Sequence, residues 1–190
     1  MGHLYISAAH KSSGKTSISI GLTAALSSQG LAVQTFKKGP DYIDPLWLSA
    51  ASGRSCRNLD FYTMARDEIS ELFERHSADA DISIIEGNKG LYDGLDLEGS
   101  NSNAALAKML DTPVVLVLDA RGMTRGIAPL ILGYQAFDPD INIKGVILAN
   151  FEHHTKSIEL PWEHLCAVRI DYEPLEPELS SITNNQLGAI

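Results

Sequence analysis

A short polar segment near the start of the chain, AAHKSSGKT at residues 8–16, places a glycine, a lysine and a threonine side by side. Gly14 lets the backbone approach a bound group closely, Lys15 carries an ammonium group, and Thr16 carries a hydroxyl that can bind Mg²⁺. The segment lies between an apolar stretch and a helical pattern, so its N–H groups would converge on an anion at a helix N-terminus. Ala9 replaces the first glycine of the phosphate-loop pattern G-x-x-x-x-G-K-[ST], and a residue this small still permits the turn. The sequence therefore predicts a nucleotide site formed by Ser12, Ser13, Gly14, Lys15, Thr16 and Ser17.

Carboxylates lie at the ends of two further apolar stretches and in a glycine-rich loop. They are Asp41 and Asp44 in KKGPDYIDP, Glu86 in IIEGNKG, and Asp93 in GLYDG. The carboxyl ends of parallel strands share one edge of a sheet, so we expect these groups to converge beside Lys15. Four carboxylates at one edge repel one another unless a cation lies among them, and Mg²⁺ prefers oxygen ligands. The pattern favours Glu86 as a metal ligand, whereas Asp93 alone fits a solvated turn equally well.

Basic residues are also expected near this edge. They are Lys37, Lys38, Lys89, Arg121 and Arg125. Any of them can bind a substrate carboxylate or a transferred phosphate, although loop lysines are usually only solvated. Lys37 is the best catalytic candidate because it ends a buried strand.

Alternating strands and helices must position these groups. Strands are predicted at residues 4–7, 32–36, 82–85, 114–118 and 145–148, and helices at 15–28, 46–52, 66–76, 100–110 and 124–137. The stretch Val114–Leu118 is almost wholly apolar, as is typical of a strand buried on both faces of a parallel sheet. The alternation predicts an α/β fold with a doubly wound, mostly parallel sheet, as in phosphate-loop NTPases. Residues 1–150 would form one domain, and residues 151–190, which lack a clear period, would be its irregular continuation.

The bulk composition excludes several function classes. The chain has 190 residues and a formal net charge of −9, which argues against a nucleic-acid surface. It contains neither an apolar run of about 18 residues, as a membrane span needs, nor the pattern of a signal peptide. Its two cysteines, Cys56 and Cys166, are far apart and lack metal-type spacing. We therefore predict a cytoplasmic protein without nucleic-acid or membrane partners.

Seven motifs occur in the order found in cobyrinic acid a,c-diamide synthases, which this chain resembles over about residues 4–150. They are SSGKT, VQTFKKGPDYIDP, NLD, IIEGNKGLYDG, GSNSNAALAKML, PVVLVLDARGM and GVILAN. The pair KKGPDYIDP and EGNKGLYDG is specific among phosphate-loop proteins. The wider group includes dethiobiotin synthetase, which shares the phosphate loop and the glutamate after the third predicted strand.

The resemblance implies ATP- and Mg²⁺-dependent amidation of a tetrapyrrole side-chain carboxylate. The carboxylate is first phosphorylated, and ammonia then displaces the phosphate. In this family the ammonia comes from glutamine, which a C-terminal glutaminase domain hydrolyses with a cysteine nucleophile. The resemblance therefore implies a glutaminase domain in cis or in trans, and it also implies a homodimer.

The resemblance also assigns roles to individual residues. Lys15 and Thr16 would bind the phosphates of ATP and Mg²⁺, and Asn150 would approach the adenine. The metal and acyl-phosphate site would consist of Asp41, Asp44, Glu86 and Asp93, with Thr16, Asp44 and Glu86 as the metal ligands. Substrate contacts would come from Tyr42, Lys89 and Ser100.

Three departures from the family pattern affect these expectations. Ala149 precedes Asn150, where the family usually runs from GVIL directly into the asparagine. Asn88 and Lys89 replace a common apolar pair, a form that suggests a branch amidating siroheme in connection with dissimilatory sulfite reduction. No G-x-C-G-G nucleophile segment occurs, so the glutaminase domain is predicted to be absent from this sequence. Cobyrinic acid is the first candidate substrate and siroheme the second.

Two other functions share the phosphate loop. A carboxylase resembling dethiobiotin synthetase would act on a small carbamate, and the GPDYIDP loop argues against it. A ParA/MinD-type ATPase switch would carry a signature lysine five residues before Lys15. His10 occupies that position and Lys11 follows one residue late, which disfavours a switch.

Overall fold

The computed structural model describes residues 2–149 and the strand at residues 166–170. Seven strands form one sheet in the order β3-β2-β4-β1-β5-β6-β7, and every neighbouring pair is parallel. Their bounds are β1 (Gly2–Ala8), β2 (Val33–Lys38), β3 (Arg57–Leu59), β4 (Ile82–Glu86), β5 (Val114–Asp119), β6 (Ile143–Ala149) and β7 (Cys166–Ile170). The predicted parallel α/β sheet is confirmed.

Within residues 2–149 five helices connect the strands. They are α1 (Lys15–Ser28), α2 (Asp44–Ser52), α3 (Arg66–Ser77), α4 (Asn103–Met109) and α5 (Ile127–Phe137). Local chemistry sets several of their starts. Gly14 takes a left-handed φ of 86° before α1, the Ser102 hydroxyl accepts a hydrogen bond from the Ala105 N–H at the start of α4, and the Glu68 carboxylate accepts one from the Ala65 N–H before α3.

Helices cover both faces of the sheet because successive strand residues point to opposite sides. Tyr5 belongs to a large apolar cluster with Phe36 and Leu116. Its neighbour Ile6 belongs to a second cluster, with Ile84 and residues of α1. Two separate cores on one sheet are the packing expected of a doubly wound fold.

The order of the strands determines where a ligand can bind. From β1 the chain passes to β2 and β3 on one side, returns to β4, and then continues on the other side through β5. The order in which strands are added to the sheet reverses at β1. Ligands of such sheets bind at this point, beyond the carboxyl ends of the strands. The loops after β1, β2 and β4 all open there, and they carry most of the predicted site residues. Among the residues described, no helix is long and apolar enough to cross a lipid bilayer.

Candidate active site

The loop between β1 and α1 has the backbone geometry of an anion site. Ser12 and Gly14 have positive φ values of 61° and 86°, and the Ser13 hydroxyl donates to the His10 carbonyl at 2.9 Å. The first N–H groups of α1 have no acceptor within the helix, which leaves them available to phosphate oxygens. Lys15 lies at the start of this helix with its ammonium 3.4 Å from the same His10 carbonyl. Burial and, next, the charge of Lys37 lower the pKa of Lys15.

Four polar side chains meet beneath this loop. The Lys37 ammonium lies 2.7 Å from Oδ2 of Asp44 and 3.0 Å from Oε1 of Glu86. The Thr16 hydroxyl donates to Oε1 of Glu86 at 2.6 Å and lies 3.3 Å from Oδ2 of Asp44. These four residues, Thr16, Lys37, Asp44 and Glu86, are linked by hydrogen bonds and ion pairs, and we call them the Lys37 cluster. Lys37 and Glu86 are buried, whereas Thr16 and Asp44 are partly exposed.

Burial shifts the pKa values of both buried members of the Lys37 cluster, and their mutual attraction opposes it. For Glu86 burial prevails and raises the pKa of the carboxyl, against the opposing effects of the Lys37 charge and the Thr16 hydrogen bond. The pKa of Lys37 is also raised, because attraction to Glu86 and Asp44 outweighs the cost of desolvating the ammonium. Lys37 therefore stays protonated and supplies a fixed positive charge at the strand ends.

The oxygen atoms of this cluster fit a magnesium ion that also binds phosphates. Within residues 2–149, Oε2 of Glu86 is buried and accepts no hydrogen bond. A buried carboxylate oxygen of this kind, next to a threonine hydroxyl, is a suitable ligand for a hard cation. The same part of the chain contains no group of three or more His, Cys, Asp or Glu side chains that could hold a metal. Mg²⁺ commonly takes only one or two carboxylates together with substrate phosphates, so Thr16, Asp44 and Glu86 remain a fitting set.

The four carboxylates expected at this edge have different partners in the structure. Asp44 and Glu86 do converge, but the cation between them is the Lys37 ammonium. Asp41 instead accepts hydrogen bonds from the N–H groups of Ile43 and Asp44, because a carboxylate two residues upstream readily closes such a turn. Asp93 likewise accepts from the Gly90 N–H at 3.0 Å. Burial lowers the pKa of Lys15, and the charge of Asp93, with those of Glu86 and Asp44, partly opposes this lowering.

Two loops carry the residues predicted to contact the substrate: Tyr42 lies between β2 and α2, and Lys89 and Ser100 lie between β4 and α4. Tyr42 projects from the β2–α2 loop with 81% of its surface exposed. Lys89 lines a cavity after β4 and has a positive φ of 38°. Ser100 lines a different cavity, and its backbone N–H and its hydroxyl both donate to Asp96. Ser17 is exposed in the first turn of α1, and Asn150 lies outside the described residues.

Sequence reasoning missed Asn103, which organises the loop after β4. Its Oδ1 accepts from the Tyr5 hydroxyl at 3.0 Å and from the Asn88 N–H at 3.1 Å. Its Nδ2 donates to the carbonyls of Asn88 and Gly90. The side chain is fully buried, so these bonds fix the backbone of residues 87–90. The sequence shows only an asparagine near the start of a predicted helix, which is a weak signal for this role.

Comparisons with known proteins identify one family model and several relatives that this chain resembles. The AAA domain family matches residues 38–171. Cobyrinate a,c-diamide synthase of Magnetococcus marinus is 53% identical over 169 residues, which are 88% of this chain and 36% of that protein. The enzyme of the same name from Syntrophotalea carbinolica is 48% identical over 165 residues, or 86% of this chain and 36% of that protein. This chain therefore spans about a third of the length of these relatives.

A likeness among solved structures concerns the fold alone. The signal recognition particle receptor FtsY from Elizabethkingia anophelis, in complex with GDP, superposes with a TM-score of 0.55 at 14% identity. The match covers 78% of this chain and 49% of FtsY. It supports the predicted phosphate-loop NTPase fold.

Proposed function

This chain belongs to the cobyrinate a,c-diamide synthase family, and we propose that it activates a tetrapyrrole side-chain carboxylate with ATP for amidation by ammonia. The observation that carries the proposal is the Lys37 cluster, which joins a phosphate loop to two carboxylates at one sheet edge. A nucleotide-binding loop alone fits many functions. Here Thr16 of the loop and Lys37 of β2 both contact the buried Glu86. This arrangement fits phosphoryl transfer, which requires that the reacting groups be positioned and that the phosphate charge be neutralised.

The proposed chemistry solves a problem of the substrate itself. A carboxylate is a poor electrophile because it is anionic and lacks a good leaving group. Its oxygen would attack the terminal phosphorus of ATP, the bond from that phosphorus to ADP would break, and an acyl phosphate would form. Ammonia would then attack the acyl carbon, the bond from that carbon to the phosphate oxygen would break, and the nitrogen would lose a proton to give the amide.

The residues of this chain contribute mainly position and charge. Lys15 and Lys37 supply ammonium groups where negative charge passes from one oxygen to another. Thr16, Asp44 and Glu86 would hold Mg²⁺, which neutralises phosphate charge when bound. Asp41 keeps the β2–α2 turn closed through two hydrogen bonds and thereby places Asp44. Because these groups are already in place, little reorganisation is needed during the reaction.

Mass spectrometry of two tetrapyrroles tests the proposal directly. Cobyrinic acid and siroheme are incubated separately with the chain, ATP, Mg²⁺ and ammonium, which replaces any need for glutamine. We expect conversion of carboxyl to amide on one of them, and loss of that product with Lys15→Met but not with Lys144→Met, which alters an exposed lysine of β6. Hydroxylamine added in place of ammonium should yield a hydroxamate. A folded chain that binds ATP but forms neither product would contradict the proposal.

The assay also separates the two candidate substrates. We favour cobyrinic acid because the relatives named above are cobyrinate a,c-diamide synthases. Siroheme is the alternative that the Asn88–Lys89 pair supports, since Lys89 adds a cation beside a substrate rich in carboxylates. Amide formation on siroheme alone would select this alternative.

Three finer features are also proposals. We infer that the physiological ammonia comes from glutamine through a glutaminase domain in cis or in trans, that the enzyme is a homodimer, and that it acts in the cytoplasm. Light scattering after size-exclusion chromatography tests the dimer. Glutamine-dependent amidation, measured in the presence and absence of a separate glutaminase, tests the nitrogen source.

A further inference from the structure

A cavity of about 280 Å³ lies beside the Lys37 cluster, among the loops that follow β2, β3 and β4. Its lining combines aromatic residues, Phe61 and Tyr62, with two lysines, Lys38 and Lys89, and two aspartates, Asp60 and Asp93. Oδ2 of Asp93 accepts a hydrogen bond from the Gly90 N–H. Lys38 is the last residue of β2 and directly follows Lys37. Consecutive residues of β2 therefore belong to the proposed phosphoryl-transfer site and to the cavity. None of the residues of the Lys37 cluster lines the cavity.

Lys38 is a buried cation without an anionic partner in contact. Only 7% of its surface is exposed. Its ammonium donates to the side-chain oxygen of Asn88 at 3.3 Å and lies 5.9 Å from the ring centre of Phe61. Within residues 2–149 no carboxylate oxygen lies within 4.0 Å of this ammonium. Because an ammonium has three N–H donors, two of them remain available to a ligand.

The acid that acts on Lys38 from a greater distance is already engaged. Asp60 raises the pKa of Lys38 through its charge, but its two oxygens accept from the Tyr62 N–H and the Thr63 hydroxyl. Burial outweighs this attraction and lowers the pKa of Lys38 to about 8. A lysine held in such a position carries a desolvation cost that an incoming anion would offset.

Alternation along β2 separates Lys38 from the reacting groups. Side chains of consecutive strand residues point to opposite faces of a sheet. Lys37 contacts Asp44 and Glu86 on one side, whereas Lys38 contacts Asn88 and lies over Phe61 on the other. The two ammonium groups therefore have different partners, and we expect them to bind two different carboxylates.

The surroundings of Lys38 are fixed before any ligand arrives. Asn103 anchors the backbone of Asn88 and Gly90, and Gly39 leaves room for the Asn88 side chain. A Cβ at position 39 would lie 3.0 Å from Nδ2 of Asn88, and Gly39 also has a positive φ of 85°. A rigid loop lowers the entropic cost of binding and favours a ligand of defined geometry.

We propose that Lys38, with Lys89, binds a second and non-reacting carboxylate of the substrate in this cavity. This inference rests on the proposed function, since the reacting carboxylate is the one placed beside Lys15 and Lys37. It deepens that function by assigning a lysine and a cavity to a part of the substrate that does not react. Phe61 and Tyr62 offer aromatic surface to the apolar part of the substrate.

Binding measured without ATP tests this inference separately from catalysis. Equilibrium dialysis is carried out with cobyrinic acid and with siroheme, each as the free acid and as the fully methylated ester. We expect Lys38→Met to weaken binding of the free acid at least about 30-fold, the low end for removing one partner of a buried charge pair. Lys38→Arg should retain most of the affinity, and Lys144→Met should bind as the wild type does. The esters should bind equally weakly to the wild type and to Lys38→Met.

Kinetics then separate this binding role from a merely structural one. In the ammonium assay Lys38→Met should raise KM for the tetrapyrrole and leave kcat nearly unchanged, because the lost contact is made equally before and during the reaction. Wild-type affinity of Lys38→Met for the free acid, in a variant with wild-type circular dichroism, would overturn the inference. Lys38-dependent binding without any amide product would instead contradict only the proposed function.

Discussion

Lys37 and Glu86 stand directly opposite each other in the register of β2 and β4. Their ion pair of 3.0 Å therefore follows from the pairing of two parallel strands. Glu86 is also the register partner of Ile6 in β1, the strand that leads into the phosphate loop. The sheet itself thus sets the position of the glutamate relative to both the lysine and the loop, without depending on a flexible segment.

This placement predicts a severe effect of Glu86→Gln on catalysis. The substitution keeps the shape of the side chain but removes its charge, so the site loses one of its two carboxylates beside Thr16. We expect amide formation to fall at least about 100-fold, the scale reported for losing one electrostatic contact to a transition state. Circular dichroism should remain that of the wild type. Turnover at the wild-type rate, at equal Mg²⁺, would refute the role of Glu86 as a metal ligand.

A second prediction concerns the stability of the ion pair. Lys37→Met leaves Asp44 and Glu86 without their shared cation, and breaking a buried pair in this way costs about 3–5 kcal/mol. The double variant Lys37→Met/Glu86→Gln also removes the charge of Glu86, one of the two carboxylates that Lys37→Met leaves unpaired. Its loss in the free energy of unfolding should therefore be smaller than the sum of the losses in the two single variants. Urea unfolding of the four proteins measures the coupling, which should exceed about 0.5 kcal/mol. Additive losses would contradict the direct interaction.

The main fold and the centre of the site could be predicted from the sequence. Long apolar stretches such as Val114–Leu118 identify buried strands because the pattern reports burial on both faces. The G-K-T segment and the position of Glu86 after a strand identify the site edge because parallel strands end together. These inferences concern local patterns whose structural consequence is nearly unique.

Features that depend on tertiary contacts could not be predicted from the sequence. Strand β3 has only three residues, Arg57–Leu59, too few to show a period, and it is recognised through its pairing with β2. The first residues of two predicted helices, at 100–102 and 124–126, lie outside α4 and α5, since Ser102 caps the first and Gly126 precedes the second. The burial of Lys38 was missed because a lysine before a glycine–proline turn resembles a solvated loop residue.

Two substitutions of Asp41 can separate its charge from its structural role. Asp41→Asn keeps an oxygen that accepts from the N–H groups of Ile43 and Asp44, whereas Asp41→Ala removes that acceptor. We expect Asp41→Asn to retain the stability of the wild type and Asp41→Ala to lose about 1 kcal/mol, as for a lost cap. If Asp41 acts in catalysis, Asp41→Asn should impair hydroxamate formation far more than ATP binding. Equal losses in both would indicate a role in the nucleotide site alone.

Asn103 should control the loop that carries Asn88 and Lys89. Asn103→Asp keeps the acceptor oxygen but replaces the donor to the Asn88 and Gly90 carbonyls with a second oxygen. Leaving buried acceptors unpaired costs about 1–3 kcal/mol for each group, so thermal unfolding should occur at a clearly lower temperature. The KM for the tetrapyrrole should rise more than the KM for ATP. Asn142→Asp, at an exposed position, is the matched control and should change neither quantity. Unchanged KM values in Asn103→Asp would contradict the positioning role.

The burial of Lys38 predicts that Lys38→Met is more stable than the wild type at neutral pH. The folded chain carries a desolvated ammonium whose pKa is lowered from 10.5 to about 8, whereas methionine has a similar length and no charge. One pKa unit corresponds to about 1.4 kcal/mol, so the free energy of unfolding at pH 7 should rise by about 1–3 kcal/mol after the lost contacts to Asn88 and Phe61 are included.

The sign of the pH dependence follows from the same shift. Below about pH 8 the lysine is protonated in both states, and the wild type bears the full cost of burial. Between about pH 8 and 10.5 the unfolded chain still holds a proton that the folded chain has released, so the stability of the wild type rises with pH. The advantage of Lys38→Met should therefore shrink across this range, as measured by urea unfolding at several pH values. An advantage that stays constant or grows would mean that Lys38 is not desolvated in the folded chain. A stability difference that shrinks with pH would mean that Lys38 destabilises the folded chain as a buried charge. Such a cost is expected at a position whose charge serves to bind a ligand, here the proposed carboxylate.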